Sequence, residues 1–374
     1  MSINFSSLAV DGVQALQPYL PGKPIEELER ELGVSNTLKL ASNENPMGPS
    51  PKVILALNDQ SLRHELYPDG GGFALKAKLS KNLGVQPEQI TLGNGSNDVL
   101  DMIARAFLCD GREAIYSEYA FAVYPISVQA VGATAKVSKA LPSEHEDNPY
   151  GHDLDAMAAL VNDKTRVIFI ANPNNPTGTW LKADELDHFL SNVPQDIIVV
   201  VDEAYFEYVI EADYPNTLLW LDKYPNLIVT RTFSKIYGLA GLRVGYSVCS
   251  EEIADLLNRV RQPFNVNSSA LIAASAALDD EDHLIQCREM NTKGIKFWRM
   301  ACQYRGLEYI PSVGNFVTVD FEQDAMPIYD AMLREAVIVR PIANYGLPNH
   351  LRITVSTPQE NQKCLDAFDK VLDL

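Results

Sequence analysis

The stretch DIIVVVDEAY, residues 196–205, decides the fold. Ile197 to Val201 are five consecutive β-branched aliphatic residues with no polar alternation. A strand buried on both faces of a mostly parallel sheet needs that pattern, whereas a strand with one wet face alternates. The run stops at an acid, Asp202, with Tyr205 three residues on. A carboxylate at a buried strand end calls for a cationic partner, so Asp202 reads as a metal ligand, a helix cap or the partner of a protonated ring nitrogen.

Outward from this strand the texture repeats. QITL (89–92), AIYS (114–117), RVIFIANP (166–173), NLIVTRTFSK (226–235) and LRVGYSVCS (242–250) are short β-rich runs set between helical patterns. Beyond residue 265 come long helical stretches, then NFVTVDF (315–321), VIVRP (337–341) and LRITVS (351–356), which alternate like strands with one exposed face. The expected fold class is α/β: a large domain with a mostly parallel central sheet flanked by helices, plus a smaller α+β domain. At 374 residues two domains are the natural expectation. The divisions expected are an arm and part of the small domain over 1–45, a large domain over 46–265 and a small domain over 266–374. In the arm, the breakers of QPYLPGKP (17–24) predict an extended segment lying on another surface, followed by a short helix at IEELERELG (25–33).

Bulk properties exclude several classes. The chain is 46% hydrophobic and 21% charged, as a folded globular enzyme is. A formal net charge of −18 repels phosphate backbones and anionic lipid, so neither nucleic acid nor a membrane surface is an expected partner. Any anionic ligand must be held by locally placed arginine, lysine or backbone N–H groups. The five cysteines are scattered with no C-x-x-C pair and read as reduced thiols of a cytoplasmic protein. The N-terminal stretch lacks a basic segment followed by a long apolar run, so neither export nor membrane insertion is expected. The six histidines show no metal-binding spacing and read as surface or loop residues, with His145 in a solvated acidic loop. No metal is expected.

Open α/β sheets bind ligands at the carboxyl ends of their strands, and four such ends here carry unusual residues. VTRTFSKIYGLAGLR places Lys235 directly after a buried run, beside Thr232 and Ser234, with Arg243 eight residues on. Desolvation should push the lysine's pKa down and favour a nucleophilic amine able to form an imine. IFIANPNNPTG sets Asn172, Asn174 and Asn175 in a Pro-Gly turn, where an asparagine can donate to a phenolate oxygen. TLGNGSNDVL runs from strand through a glycine turn into a helix, so the N–H groups after Gly95 can cradle a phosphate. Each feature has a plain structural reading: a surface lysine, a mere loop, an ordinary helix start. Taken together, a Schiff-base amine, an acid for a ring nitrogen, a donor for a phenolate oxygen and a phosphate nest are the parts that pyridoxal 5'-phosphate requires.

NPNNPTG (172–178), DEAY (202–205) and TFSKIYGLAGLRVGY (232–246) resemble the signature segments of the fold type I aminotransferases, nearly end to end. PYLPGKP (18–24), LASNENPMGPSP (40–51), YPDG (67–70), SEYAFAVYP (117–125) and LRITV (351–355) resemble more narrowly the histidinol-phosphate aminotransferase family. The resemblance implies Lys235, Asp202 and Tyr205 as catalytic residues, with Asn175 and Tyr205 donating to the phenolate oxygen and Phe121 stacked on the ring. It implies Ser96, Asn97, Thr232, Ser234 and Arg243 around the cofactor, with Tyr67 reaching over from the second subunit of a homodimer. Substrate would meet Tyr19, Asn43, Arg340 and Arg352. The implied reaction interconverts histidinol phosphate and 2-oxoglutarate with imidazole-acetol phosphate and glutamate, in histidine biosynthesis. YPDGGG departs from the commoner sequence after its Tyr-Pro, which leaves the local loop shape open.

An aromatic amino acid aminotransferase is the alternative on this scaffold, because imidazole and phenyl rings ask for similar apolar walls. A decarboxylase is a third reading. A metabolite-sensing regulator would need a DNA-binding appendage and a basic stripe, and a nicotinamide dehydrogenase would need a complete glycine fingerprint. Neither feature is in the chain.

Overall fold

The computed structural model describes residues 4–19, 21–58, 63 and 65–373. The thirteen strands of the described residues are β1 (Leu38–Lys39), β2 (Ile90–Gly93), β3 (Glu113–Ser117), β4 (Thr134–Ser138), β5 (Thr165–Ala171), β6 (Ile198–Asp202), β7 (Leu227–Thr232), β8 (Gly245–Val248), β9 (Glu308–Ile310), β10 (Phe316–Asp320), β11 (Val337–Ile338), β12 (Arg340–Ile342) and β13 (Leu347–Thr354). Seven of them form one sheet in the order β2-β8-β7-β6-β5-β3-β4. All neighbours pair parallel except at β8, which runs against both β7 and β2. The expected α/β architecture is what forms, with β10, β13, β12 and β9 making the smaller antiparallel sheet.

The unalternating aliphatic runs are buried as their composition requires. Val167, Ile168, Ile170, Val199, Val200 and Val201 are all fully inaccessible. Val167 and Val200 turn to one layer of helices, Val199 and Val201 to the other. Burying each such side chain is worth roughly 1.5–3 kcal/mol, so these central strands anchor the large unit. Helices cover the sheet with ordinary start signals: Ser50, Asp153, Ser250 and Asn267 each accept a backbone N–H three residues into the helix that follows. The helix Ser268–Ala277 packs into this same core through Ala270, Ala273, Ala274 and Ala277. A separate core joins Leu38 and Leu40 to Trp298, Val317, Leu351, Ile353 and Phe368 of the C-terminal part.

Three strands went unread in the sequence, β1, β4 and β9. β4 is an edge strand with exposed Thr134, Ala135 and Val137, so it lacks the aliphatic density that marks its neighbours. Reading the histidines as surface or loop residues needs correction. His152, His283 and His350 are buried, the first two against the backbone carbonyls of Ala171 and Gly48; His64 lies outside the described residues. No described helix is long and apolar enough to cross a membrane. All five cysteines are free thiols.

Candidate active site

The carboxyl ends of β2, β5, β6 and β7 meet at one edge of the large sheet, because β8 reverses between β2 and β7. A cavity of about 380 Å³ lies over that edge. Thirteen of the fifteen residues singled out from the sequence line it: Tyr19, Asn43, Ser96, Asn97, Phe121, Asn175, Asp202, Tyr205, Thr232, Ser234, Lys235, Arg243 and Arg352. Arg340 stands just behind this lining, its guanidinium 5.6 Å from the Tyr19 ring. Tyr67 is 82% exposed, turned away and stacked on Phe264 at 4.7 Å.

Strand alternation explains how DEAY serves two purposes. Successive side chains face opposite sides of a sheet. Asp202 turns one way and accepts from Thr230 Oγ1 at 2.8 Å, while the next residue, Glu203, turns the other way and pairs with Arg231 at 2.7 Å. Asp202 and Thr230 are register partners across β6 and β7, and Ala171 partners Asp202 from β5. The second carboxylate oxygen of Asp202 accepts from the Tyr124 hydroxyl at 3.0 Å. Tyr124 is itself fixed, stacked on Phe169 at 4.9 Å. Burial pushes the Asp202 pKa up to about 6, against the pull of these two donors.

Lys235 follows β7 by three residues and donates to the Ser42 carbonyl at 3.2 Å. Its Nζ lies 5.6 Å from the centre of the Tyr205 ring. Burial, then the positive field of Arg352, lower its pKa to about 7. The Tyr205 hydroxyl accepts from Asn43 Nδ2 at 2.9 Å, and Asn43 is held in turn by Thr354. Burial raises the Tyr205 pKa to about 12, so it stays a neutral donor.

The helix Ser96–Phe107 begins at Gly95, which has φ +82° and no side-chain cap. A Cβ on Gly95 would stand 2.3 Å from Arg243 Nη2, and one on Gly245 would stand 2.5 Å from the Ser96 nitrogen. The backbone therefore closes tightly here because two positions lack side chains. Ser96 and Asn97 at the start of the helix and Arg243 line the cavity together, with Arg243 Nη1 donating to Ser234 Oγ at 3.2 Å. A helix N-terminus beside an arginine and a serine is an anion cradle.

Arg352 on β13 is buried, donating to Asn175 Oδ1 and, at 2.7 Å, to the Ala41 carbonyl. Its Nε is buried without a partner. Because Asn175 accepts with its oxygen, its amide nitrogen is left to donate elsewhere. Arg340 and Arg352 are direct register partners on β12 and β13, which sets two cations on one face of the small sheet.

Sequence reasoning missed Thr230, Tyr124 and the carbonyl of Ser42. Thr230 sits two residues before Thr232 on the same strand face, and Tyr124 one helical turn from Phe121, so periodicity could have found both. Nothing in a sequence marks a backbone carbonyl.

Comparison with known proteins places this geometry. The family "Aminotransferase class I and II" matches residues 35–368. The chain is 55% identical to histidinol-phosphate aminotransferase 2 of Pseudomonas fluorescens, over all of this chain and 99% of that one. It is 56% identical to histidinol-phosphate aminotransferase 2 of Methylococcus capsulatus, over 99% of this chain and all of that one. Among solved structures it superposes on histidinol-phosphate aminotransferase from Sinorhizobium meliloti in complex with pyridoxal-5'-phosphate, with a TM-score of 0.88, 28% identity and 97% of each chain covered.

Proposed function

The chain belongs to the class I and II aminotransferases, within them to the histidinol-phosphate aminotransferases, and on that premise we propose that it exchanges the amino group of histidinol phosphate for the keto group of 2-oxoglutarate. The products are imidazole-acetol phosphate and glutamate, a step of histidine biosynthesis. One observation carries the choice of a phosphorylated substrate: Arg352 and Arg340 stand opposite each other beside the cavity that holds Lys235. Two forked cations suit a doubly charged phosphate better than a single carboxylate.

The residues present fit pyridoxal phosphate. The absence of a side chain at Gly95 lets the Arg243 guanidinium close on the start of the helix, where a phosphate would meet both. The Ser96 and Asn97 amides, Ser234 and Arg243 would hold that phosphate, Phe121 would cover the ring, and Asn175 and Tyr205 would donate to its phenolate oxygen. Lys235 would hold the cofactor's aldehyde until the substrate amine takes its place, and the cofactor would then supply an electron sink for the charge left when the substrate α-proton departs. Asp202, ionised above about pH 6 and oriented by Thr230 and Tyr124, stabilises a proton on the ring nitrogen. Lys235, with a pKa near 7, can take a proton at Nζ and return it within the physiological range. Asn43 keeps the Tyr205 hydroxyl aimed into the cavity. Tyr19 closes over the substrate from the arm.

We further infer a cytoplasmic homodimer in which Tyr67 completes the partner's site. Tyr67, Phe73 and Phe264 are exposed together, an apolar surface that a second subunit would cover. The deciding experiment is a steady-state comparison of histidinol phosphate and phenylalanine, each with 2-oxoglutarate as acceptor. We expect histidinol phosphate to be preferred by at least tenfold in kcat/KM; a preference for phenylalanine overturns the assignment.

A further inference from the structure

A second cavity, of about 570 Å³, opens between the helices Leu154–Ala159 and Ala183–Asn192 and the loop over 141–153. It shares no lining residue with the catalytic cavity. Leu154, Trp180, Leu181 and Phe189 give it an apolar wall, while Asp147, Asp153, Asp155 and Glu185 line it with a single lysine, Lys182, whose ammonium lies 3.9 Å from Asp147. Its chemistry is that of a receptor for a positively charged ligand with an apolar body.

His152 makes the cavity more than an acidic hollow. The side chain is 5% exposed and lines the cavity. Its Nε2 lies 2.9 Å from the Ala171 carbonyl. A carbonyl only accepts, so Nε2 carries the hydrogen and Nδ1 is a bare acceptor. Nδ1 is buried and has no partner. Burial lowers the imidazole pKa to about 4, so at neutral pH a second proton does not satisfy that nitrogen. A hydrogen-bond donor from outside the chain, an N–H or O–H, would satisfy it. Among the described residues no group of three His, Cys, Asp or Glu side chains is arranged to hold a metal ion, and the apolar wall beside the carboxylates suits an organic donor.

We propose that this cavity binds a small planar organic cation, an amidinium, guanidinium or imidazolium on an apolar body, which donates an N–H to His152 Nδ1. Its flat body lies against Trp180, whose ring face attracts cations, and its charge faces Asp155 and Glu185. The site backs directly onto the catalytic one. Ala171, which accepts from His152, lines the catalytic cavity and is the register partner of Asp202.

Calorimetric titration of the pyridoxal-phosphate-loaded enzyme with benzamidine and with benzamide tests this, since the two probes share shape and N–H donors and differ in charge. We expect benzamidine to bind at least tenfold tighter. In the double variant Asp155→Asn, Glu185→Gln, both at exposed positions, the ratio should fall to threefold or less with cofactor absorbance unchanged. His152→Phe should weaken both probes; if that buried variant does not fold, the exposed pair decides alone. Equal affinities in the parent enzyme, or a ratio untouched by the double variant, overturn the proposal.

Discussion

Replacing Lys235 by methionine in the cofactor-free protein should raise its stability, and by an amount that shrinks as pH rises. The lysine titrates near 10.5 when unfolded and near 7 when folded, because burial and Arg352 disfavour its charge. Between those values the unfolded chain binds more protons than the folded one, so folding gains stability as pH rises from 7 to 10.5. The full shift of about 3.5 units corresponds to roughly 5 kcal/mol of penalty at pH 6, of which about 1 kcal/mol is left at pH 10. Water in the cavity screens an amine that opens onto it, so about half of that difference, roughly 2 kcal/mol, is the expected change. With an unfolding entropy of about 2.1 cal/mol/K per residue, 1 kcal/mol moves Tm by about 1.3 °C in a chain this long. Parent and Lys235→Met proteins, stripped of cofactor, should therefore differ in Tm by roughly 2–4 °C more at pH 6 than at pH 10, with methionine the more stable at pH 6. Differential scanning calorimetry at both pH values measures this. The packing gain from methionine is independent of pH and cancels. A difference that stays constant across the range, or grows with pH, would refute the idea that Lys235 is held against its charge.

Arg352→Ala should raise KM for both histidinol phosphate and 2-oxoglutarate by at least tenfold, since hydrogen bonds to charged groups are worth about 1.5–3 kcal/mol each; a defect confined to one substrate means that the two anions have separate sites. Gly95→Ala should weaken pyridoxal phosphate binding by roughly 5- to 150-fold, because its φ of +82° is glycine territory and its Cβ would strike Arg243. An absorbance titration giving unchanged affinity would show that the turn is not the phosphate cradle. Co-expressed Tyr67→Ala and Lys235→Ala chains should regain activity that neither has alone, as one site of each hybrid dimer then holds both native residues. Hybrids as inactive as the two parent variants would contradict a site shared across subunits.

How far the site could be read from the chain depends on the kind of contact involved. Asp202, Asn175 and Lys235 were legible because each follows a buried strand, and although each alone has a bland explanation, the three on one sheet edge do not. At Gly95 the chain offered a phosphate nest and an ordinary helix start alike, since the collision that a Cβ would make depends on Arg243, about 150 positions away. Thr230 and Tyr124 are neutral polar residues inside otherwise unremarkable segments: the β6–β7 pairing brings Thr230 to Asp202, and the helix Val123–Ala130 brings Tyr124. His152 and His283 misled for a related reason: a histidine that meets a distant carbonyl leaves no local trace.

The opposition of Arg340 and Arg352 was the least legible feature and has the largest consequence. VIVRP and LRITV each contain one arginine, and their register is set by a shift at Pro341 and Ile342, which spacing along the chain does not reveal. Like charges directly opposite on one sheet face repel, and the effect is visible in Arg352, whose pKa is lowered first by burial and further by Arg340. The Nε of Arg352 also has no partner inside the protein. A fold that sets two guanidiniums against each other, and leaves one of them unsatisfied in a chain carrying a net charge of −18, holds unfavourable energy at a single point. A ligand bearing two negative charges relieves both the repulsion and the missing hydrogen bond, whereas one carboxylate relieves less of either. If the two arginines receive the substrate as proposed, selectivity for a phosphate over a carboxylate would be a property of the small sheet's register rather than of either arginine alone.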